Sequence, residues 1–248
     1  MFVKFFYRII SVIHAGNSAM YDRFYWLKKN LVVLKNGSKL LDVGCGNGWA
    51  FPLALKIGFS KVIGLSWSEK DIEKCKKRLS SDIEYIVGDV RKLDEIKFNT
   101  KFDTILNIEN IEHIINSDKL VKDISNLLND GGLLYLTTPN ILHRQLYGES
   151  LIANPPIEDG DHVVRGYSYQ RLKKIMSKHN LKIIKVDYIT GKLSSTLLTM
   201  QNILPINKYI LKILSIPFTV LFTRLDNIFF KNDSLNHCIA IVAEKIED

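Results

Sequence analysis

From Lys39 onward, short apolar runs alternate with amphipathic stretches, and this rhythm constrains the fold more than any other feature of the chain. KLLDVG (39–44) reads as a buried strand ending in glycine, WAFPLALKIG (49–58) as a helix, KVIGLS (61–66) as a strand, and EKDIEKCKKRLSS (69–81) as a helix with i,i+4 charge pairs. IEYIVGD (83–89), FDTILNIEN (102–110), a helix over 117–129 and GGLLYLTTPN (131–140) continue the series. Strands separated by helices are joined by crossovers, so the pattern predicts an α/β fold, a doubly wound and mostly parallel sheet with helices on both faces. Ligands of such sheets bind at the carboxyl ends of the strands.

The remainder departs from that rhythm. After a loop with Pro155, Pro156 and an acidic cluster, SYQRLKKIMSKHN (168–180) reads as helix, LKIIKVDYIT (181–190) as strand and HCIAIVAEKI (237–246) as the last strand. The interval 191–236 is far longer than a hairpin needs and is read as a hydrophobic helical insertion before that strand. Within 208–230, Lys208, Lys212, Ser215, Thr219 and Thr223 recur at spacings of 4, 3, 4 and 4, a narrow polar stripe on an otherwise apolar helix bent near Pro217. The amino terminus, MFVKFFYRIISVIHAG, lacks a basic leader and is interrupted by Arg8, so it reads as neither a secretory signal nor a membrane span. Lys4, Arg8 and Ser11 line one stripe, which predicts an amphipathic helix over 2–13. The two helices pack together as a cap over the site, form a dimer interface, or rest on a membrane surface. At 248 residues the chain fits one domain: a cap or lid over 1–30, a core over 31–190, the insertion over 191–236, and a last strand and tail over 237–248.

The net charge of +8 admits an anionic membrane surface, a phosphorylated substrate or nucleic acid. Nucleic acid is not expected, because basic and aromatic residues form no common stripe, and the NPPI at 154–157 lies beyond the fifth strand, where a base-flipping motif would not fall. Cys45, Cys75 and Cys238 are widely separated and form no Cys/His cluster, which suits reduced thiols of a cytoplasmic protein, peripheral on a membrane if the helices dock there.

The turn LLDVGCGNGW (40–49) places glycines at 44, 46 and 48, with Trp49 where a dinucleotide loop needs its third glycine. No Gly-Lys-Ser/Thr follows, which excludes a P-loop. Asp42 just before the turn would repel a pyrophosphate and attract an ammonium or sulfonium group. The loop therefore suits a ligand whose near end is cationic.

With those residues in place, the chain resembles the class I S-adenosylmethionine-dependent methyltransferases, in particular the ubiquinone-biosynthesis-like O-methyltransferase branch. LLDVGCGNG looks like that family's first motif, EYIVGDVRKL like its adenine-contacting motif, FDTILNIENIEHI like its fourth-strand motif and DGGLLYLTTPN like its fifth. The resemblance implies a Rossmann-like sheet of seven strands, S-adenosylmethionine as cofactor and S-adenosylhomocysteine as product. It places Asp42, Gly44, Cys45 and Gly46 around the methionine end, Asp89 and the backbone of Val90 at the adenine edge, and Asn107 by the sulfonium. Ser66 stands where the family usually has a ribose-binding acid, which weakens a charge-assisted grip; Trp67 is placed to stack beside adenine, with Glu69 reaching back.

Methyl transfer to a hydroxyl requires alignment of the acceptor and removal of its proton. Glu109, Glu112 and His113, at i, i+3 and i+4, would share a face at the mouth of the site if the segment is helical, and His113 is the candidate base. Two carboxylates and one imidazole would hold magnesium or manganese only weakly, so a divalent metal is not expected to be required. In the loop NPPIEDGDHVVRGYS (154–168), which holds Glu158, Asp159 and Asp161, His162 is a second base candidate and Arg165 could pair an anionic substrate. His143 and Arg144 read as loop polar residues, and YDRFYW (21–26) resembles a lid segment. The activity expected is O-methylation of a small-molecule, glycan or lipid-linked acceptor. The alternatives are a silent cofactor-binding protein and a methyltransferase for another acceptor class.

Overall fold

The computed structural model describes residues 16–78, 83–145, 158, 160–204, 207–230 and 233–247. The expected amino-terminal helix over 2–13 lies outside them, as do Pro155, Pro156 and Asp159.

The chain enters through helix α1 (Ser18–Asn30), whose N-cap Asn17 accepts from the amide of Met20. Strand β1 (Lys39–Val43) leads through the glycine turn into α2 (Phe51–Ile57), with a proline in its first turn and Gly58 closing it in a left-handed conformation. Then come β2 (Lys61–Ser66), α3 (Glu69–Arg78), β3 (Ile83–Val87), β4 (Phe102–Ile108), α4 (Ser117–Leu127) and β5 (Leu128–Pro139). A short α5 (Ile141–Gln145) precedes α6 (Tyr169–Lys178), capped by the Ser168 hydroxyl, and β6 (Leu181–Ile189). Helices α7 (Lys192–Ile203) and α8 (Lys208–Phe229) precede the final strand β7 (Cys238–Lys245).

The seven strands form one sheet in the order β3-β2-β1-β4-β5-β7-β6. Pairs from β3 through β5 are parallel, while β7 runs antiparallel to both β5 and β6. The expected doubly wound, mostly parallel architecture is what forms. Two apolar layers cover the sheet. One is built on Leu41, Ile105, Leu134 and Ile241 under α4 and α6; the other is built on Leu40, Leu106, Tyr135 and Val242 under α1 and α2. Leu40 and Leu41 are neighbours in one strand and lie on opposite faces, as the period of two requires. Such two-sided burial explains why β1 reads as a continuous apolar run.

The insertion contains two helices, of which only the second was legible from periodicity. Its sequence stripe divides in an unexpected way. Ser215, Thr219 and Thr223 are buried, whereas Lys212 is exposed and many apolar residues of α8 face outward. The hydroxyl part of the stripe is thus the packed face of α8, the reverse of the usual arrangement for a surface helix. The helix also runs through Pro217 as one element.

Candidate active site

The first turn is shaped by glycine where nothing else fits. Gly44 and Gly46 have φ of +84° and +50°, a region that side chains with a Cβ rarely adopt. A Cβ on Gly44 would lie 2.5 Å from Asn110 Oδ1, while one on Gly46 would meet nothing within 4 Å. Gly44 is therefore needed for packing and Gly46 leaves its backbone open to a ligand. The amides of Gly44 and Cys45 both donate to the Leu65 carbonyl, at 3.0 and 2.9 Å, fixing the loop to the end of β2.

Asp42 is buried beneath this loop, and burial alone pushes its pKa up to about 7. No charged group offsets the cost, so the carboxyl is predisposed to hold either a proton or a cation. Asn107 donates from Nδ2 to the Val43 carbonyl at 3.2 Å, and its buried Oδ1 has no partner among the described residues. Burial holds the Cys45 thiol high, with the Asp42 charge adding to it, which leaves that side chain as packing.

The adenine-side candidates are arranged less simply. Ser66 ends β2, and its hydroxyl accepts from the Ser68 amide at 3.2 Å. Trp67 is 70 % exposed, and the position of a Cβ on Gly160 lies 3.8 Å from its ring. Asp89 caps the 3-10 turn Val90–Glu95 and takes a forked ion pair from Arg91, whose Nε and Nη2 lie 2.8 and 2.6 Å from Asp89 Oδ2. That pair holds the Asp89 carboxyl below its usual range. Arg91 also reaches Glu158 at 3.2 Å, and Glu158 accepts from the Ile115 amide at 2.6 Å, so Arg91 and Glu158 together join the adenine-side turn to the 158–168 loop.

The expected Glu109, Glu112 and His113 face does not form as one. Only Ile111–His113 makes a helical turn, of the 3-10 type, and Glu109 precedes it at φ +50°. The Glu109 carboxylate is committed to Arg23 of α1 at 2.5 Å, to the Thr137 hydroxyl at 3.0 Å and to Cys238 Sγ at 3.3 Å. Burial opposes charge on Arg23, but Glu109 together with Cys238 and Glu112 outweighs it and holds the guanidinium charged. Arg23 was missed from sequence, where the signal is a charged pair inside the aromatic stretch YDRFYW.

Glu112 is buried; Oε2 accepts from the Thr138 hydroxyl at 3.0 Å and Oε1 has no partner among the described residues. Burial, and then the neighbouring Glu109, raises its pKa well above the carboxylate range, so it is held neutral. Its backbone carbonyl accepts from the amides of Val163 and Val164, both at 3.0 Å, which seats the distal loop. That loop brings His162 against His113, with ring centroids 4.6 Å apart and planes at 86°. His113 Nδ1 faces the Asp161 carbonyl at 3.0 Å. A carbonyl can only accept, so Nδ1 carries the hydrogen, and in the neutral ring the lone pair is the one on Nε2. Glu112, His113 and His162 offer ligand atoms that all lie within 4.8 Å of one another. The carboxylate and imidazoles that converge are thus not the set spaced along the sequence.

A cavity of about 280 Å³ lies between α1 and β6 and is lined by Trp26, Asn30, Lys185, Asp187, Thr190 and Asp226, among others. It shares no residue with the glycine loop or the histidine pair. His143 is buried, with Nδ1 against the Leu235 carbonyl at 2.8 Å, and supports the start of β7.

A family model described as a methyltransferase domain matches residues 21–186. The chain is 35% identical over 131 residues to a ubiquinone biosynthesis O-methyltransferase of Pelagibacter ubique (strain HTCC1062), covering 48% of this chain and 52% of that one. It is 29% identical over 156 residues to the protein of the same name from Bartonella bacilliformis, covering 60% and 61%. The aligned region thus spans roughly half of these relatives' length. Among solved structures, an S-adenosylmethionine dependent methyltransferase from Mesorhizobium loti superposes with a TM-score of 0.60 at 15% identity, covering 89% of this chain and 96% of that one.

Proposed function

The chain belongs to the methyltransferase-domain family, whose methyl donor is S-adenosylmethionine, and from that premise we propose that it methylates a hydroxyl oxygen, with His113 taking the proton. The donor's residues are those of the glycine loop and its surroundings: Asp42, Gly44, Cys45 and Gly46 at the methionine end, Asn107 near the sulfonium, Ser66 and Trp67 at the ribose and adenine, and Asp89 and Val90 at the adenine edge. Asp42 supports this fit, since a buried carboxyl without a partner regains its ordinary charge when a cation is brought to it. Asp89 contributes with the capacity Arg91 leaves it, and Trp67 supplies an exposed ring for stacking.

The observation that supports the oxygen assignment is the contact of His113 Nδ1 with the Asp161 carbonyl. Bound S-adenosylmethionine supplies a methyl group already activated on a sulfonium leaving group, so the chain has only to aim the acceptor and receive its proton. With Nδ1–H on the Asp161 carbonyl, Nε2 is the basic nitrogen. As the acceptor oxygen bonds to the methyl carbon, the carbon–sulfur pair leaves with sulfur and the hydroxyl proton passes to Nε2. The main-chain carbonyl of Glu112 positions this base by anchoring the loop that carries Asp161 and His162. The acceptor is a small-molecule, glycan or lipid-linked hydroxyl, and the relatives named for ubiquinone biosynthesis put phenolic lipids first among those to test.

The test is acceptor-dependent formation of S-adenosylhomocysteine with a prenylated catechol as probe. His113→Ala is expected to lower kcat by about 10²- to 10⁴-fold, with donor affinity within about twofold of wild type. An unchanged kcat at saturating acceptor removes His113 as the base. Thermal unfolding with S-adenosylmethionine, S-adenosylhomocysteine and NAD checks the donor independently: at about 100 times its dissociation constant a ligand adds roughly 2.7 kcal/mol of stability. A shift with NAD and none with the adenosyl compounds overturns the proposed donor site.

A further inference from the structure

The outward face of α7 and α8 is apolar because the polar side of α8 is already in use. Leu211, Ser215, Thr219, Thr223 and Asp226 form its buried stripe. Thr223 donates to Asp22 on α1, and the Asp226 carboxylate accepts from the amides of Leu193 and Ser194 at 3.0 and 2.8 Å, capping α7. The opposite side presents Ile213 at 67 % and Phe229 at 70 % exposure, together with Leu214, Phe218 and Leu221. Leu214, Phe218 and Leu221 follow at helical spacing and so form one ridge. Alongside, an open apolar hollow of about 350 Å³ is lined by Met200, Ile203 and Leu204 of α7 and its end. Scattered apolar residues on a surface need no explanation, but a contiguous face of this kind marks an interaction site.

The charges around the face identify the occupant. Lys192, Lys212 and Arg224 are exposed, and the only acid between residues 192 and 230 is Asp226, which is buried as the cap of α7. An apolar centre whose exposed charges along α7 and α8 are all cationic, with the acid Asp233 only beyond the end of α8, is complementary to an anionic lipid surface. A second copy of the chain would bring like charges together across the same face. No helix among the described residues is long and apolar enough to cross a membrane, so the contact would be interfacial. We propose that the α7–α8 face is a docking surface for an anionic lipid bilayer. Because α8 holds α1 through Asp22, and α1 delivers Arg23 to Glu109, the bilayer lies against the elements that border the active site. The surface is separate from His113 and the docking holds whatever the acceptor is.

The test is co-sedimentation of the full chain with phosphatidylcholine vesicles, with and without phosphatidylglycerol, run beside light scattering and a donor-binding titration. Binding is expected to be at least about tenfold stronger on phosphatidylglycerol vesicles and to weaken as salt shortens the electrostatic range. Ile213→Glu combined with Phe218→Glu is expected to reduce it at least about tenfold with donor affinity unchanged, which keeps this result distinct from failure of the methyl-transfer reading. Lys212→Glu alone, which leaves the apolar ridge intact, is expected to remove the preference for phosphatidylglycerol. A monodisperse monomer that ignores both vesicle types overturns the proposal. So does a dimer that Ile213→Glu dissociates, or vesicle binding that survives the double substitution.

Discussion

Glu112 and Asp42 are both buried carboxyls, yet their surroundings suit them to different protonation states in the working protein. Glu112 has a hydroxyl donor on one oxygen and another carboxylate nearby, and the cation near it, Arg23, is paired to Glu109, so burial keeps it neutral and it acts as a hydrogen-bonding strut. Glutamine reproduces the shape and polarity of that neutral form. Glu112→Gln is therefore expected to change unfolding free energy by less than about 0.5 kcal/mol, whereas Glu112→Ala leaves the Thr138 hydroxyl unpaired in the interior and costs about 1–3 kcal/mol. Urea denaturation distinguishes the two, and a large loss in the Gln variant would show that the charged form is the native one. His113 and His162 were each legible as candidates because imidazole is rare and functional at neutral pH. Their meeting was not, because the main-chain bonds from Val163 and Val164 to Glu112 that bring them together carry no side-chain signature. The same limit hid the division of labour between the acids. Spacing suggested that Glu109 and Glu112 act together, but a positive φ at Glu109 turns its carboxylate towards Arg23.

At the scale of elements, helices with a single apolar stripe were read well and α7 was not read at all. KLSSTLLTMQNI is rich in Ser and Thr, which compete with helical bonding, and no side chain caps its start from Gly191. Its cap is Asp226, more than thirty residues downstream on α8. A helix whose first turn depends on a distant carboxylate cannot be found by a local window. Asp226→Ala should remove both amide contacts and cost about 1–2 kcal/mol. The expected signature is local: hydrogen exchange of amides at 192–196 accelerates by about tenfold or more while β1, β4 and β5 keep their protection. Uniform acceleration across the sheet would mean that the cap contributes to global stability instead. The stripe on α8 was legible as a pattern but not in its orientation. Hydropathy places apolar residues inward by default, and only the three-helix contact with α1 and α7 shows that the hydroxyl face is the one enclosed.

For the whole molecule, the strand–helix rhythm was enough to predict the parallel, doubly wound core, because crossovers leave no other arrangement for buried apolar runs. The count of seven strands came from family resemblance, but the antiparallel insertion of β7 between β5 and β6 is seen only in the structure; the residues of β7 are equally suited to an edge or a central position until their neighbours are known. What the sequence could not show is that this fold buries two carboxyls with no cation paired to them, Asp22 on α1, bonded by the Thr223 hydroxyl, and Asp42 under the glycine loop, each with its pKa pushed by burial up to about 7. Near pH 5.5 the native state therefore holds protons that the unfolded chain, with ordinary values near 3.8, has largely released. Stability then falls as pH rises between the two values and flattens above about 7. A shift of about three units per group sets an upper bound of about 4 kcal/mol each, and relaxation around the charge makes a few kcal/mol in total the realistic scale. Melting temperature is expected to drop by several degrees from pH 5 to pH 8, with the slope reduced in Asp22→Asn and in Asp42→Asn. Donor binding separates the two groups. A sulfonium or ammonium beside Asp42 favours its charged form, so affinity should rise with pH up to about 7, and binding near pH 6 should release protons, measurable by calorimetry in buffers of different ionisation enthalpy. Asp42→Asn should bind weakly and without that proton release, while Asp22→Asn should bind as wild type does. If Asp22→Asn abolishes the proton release and Asp42→Asn retains it, the cation is not held by the glycine loop.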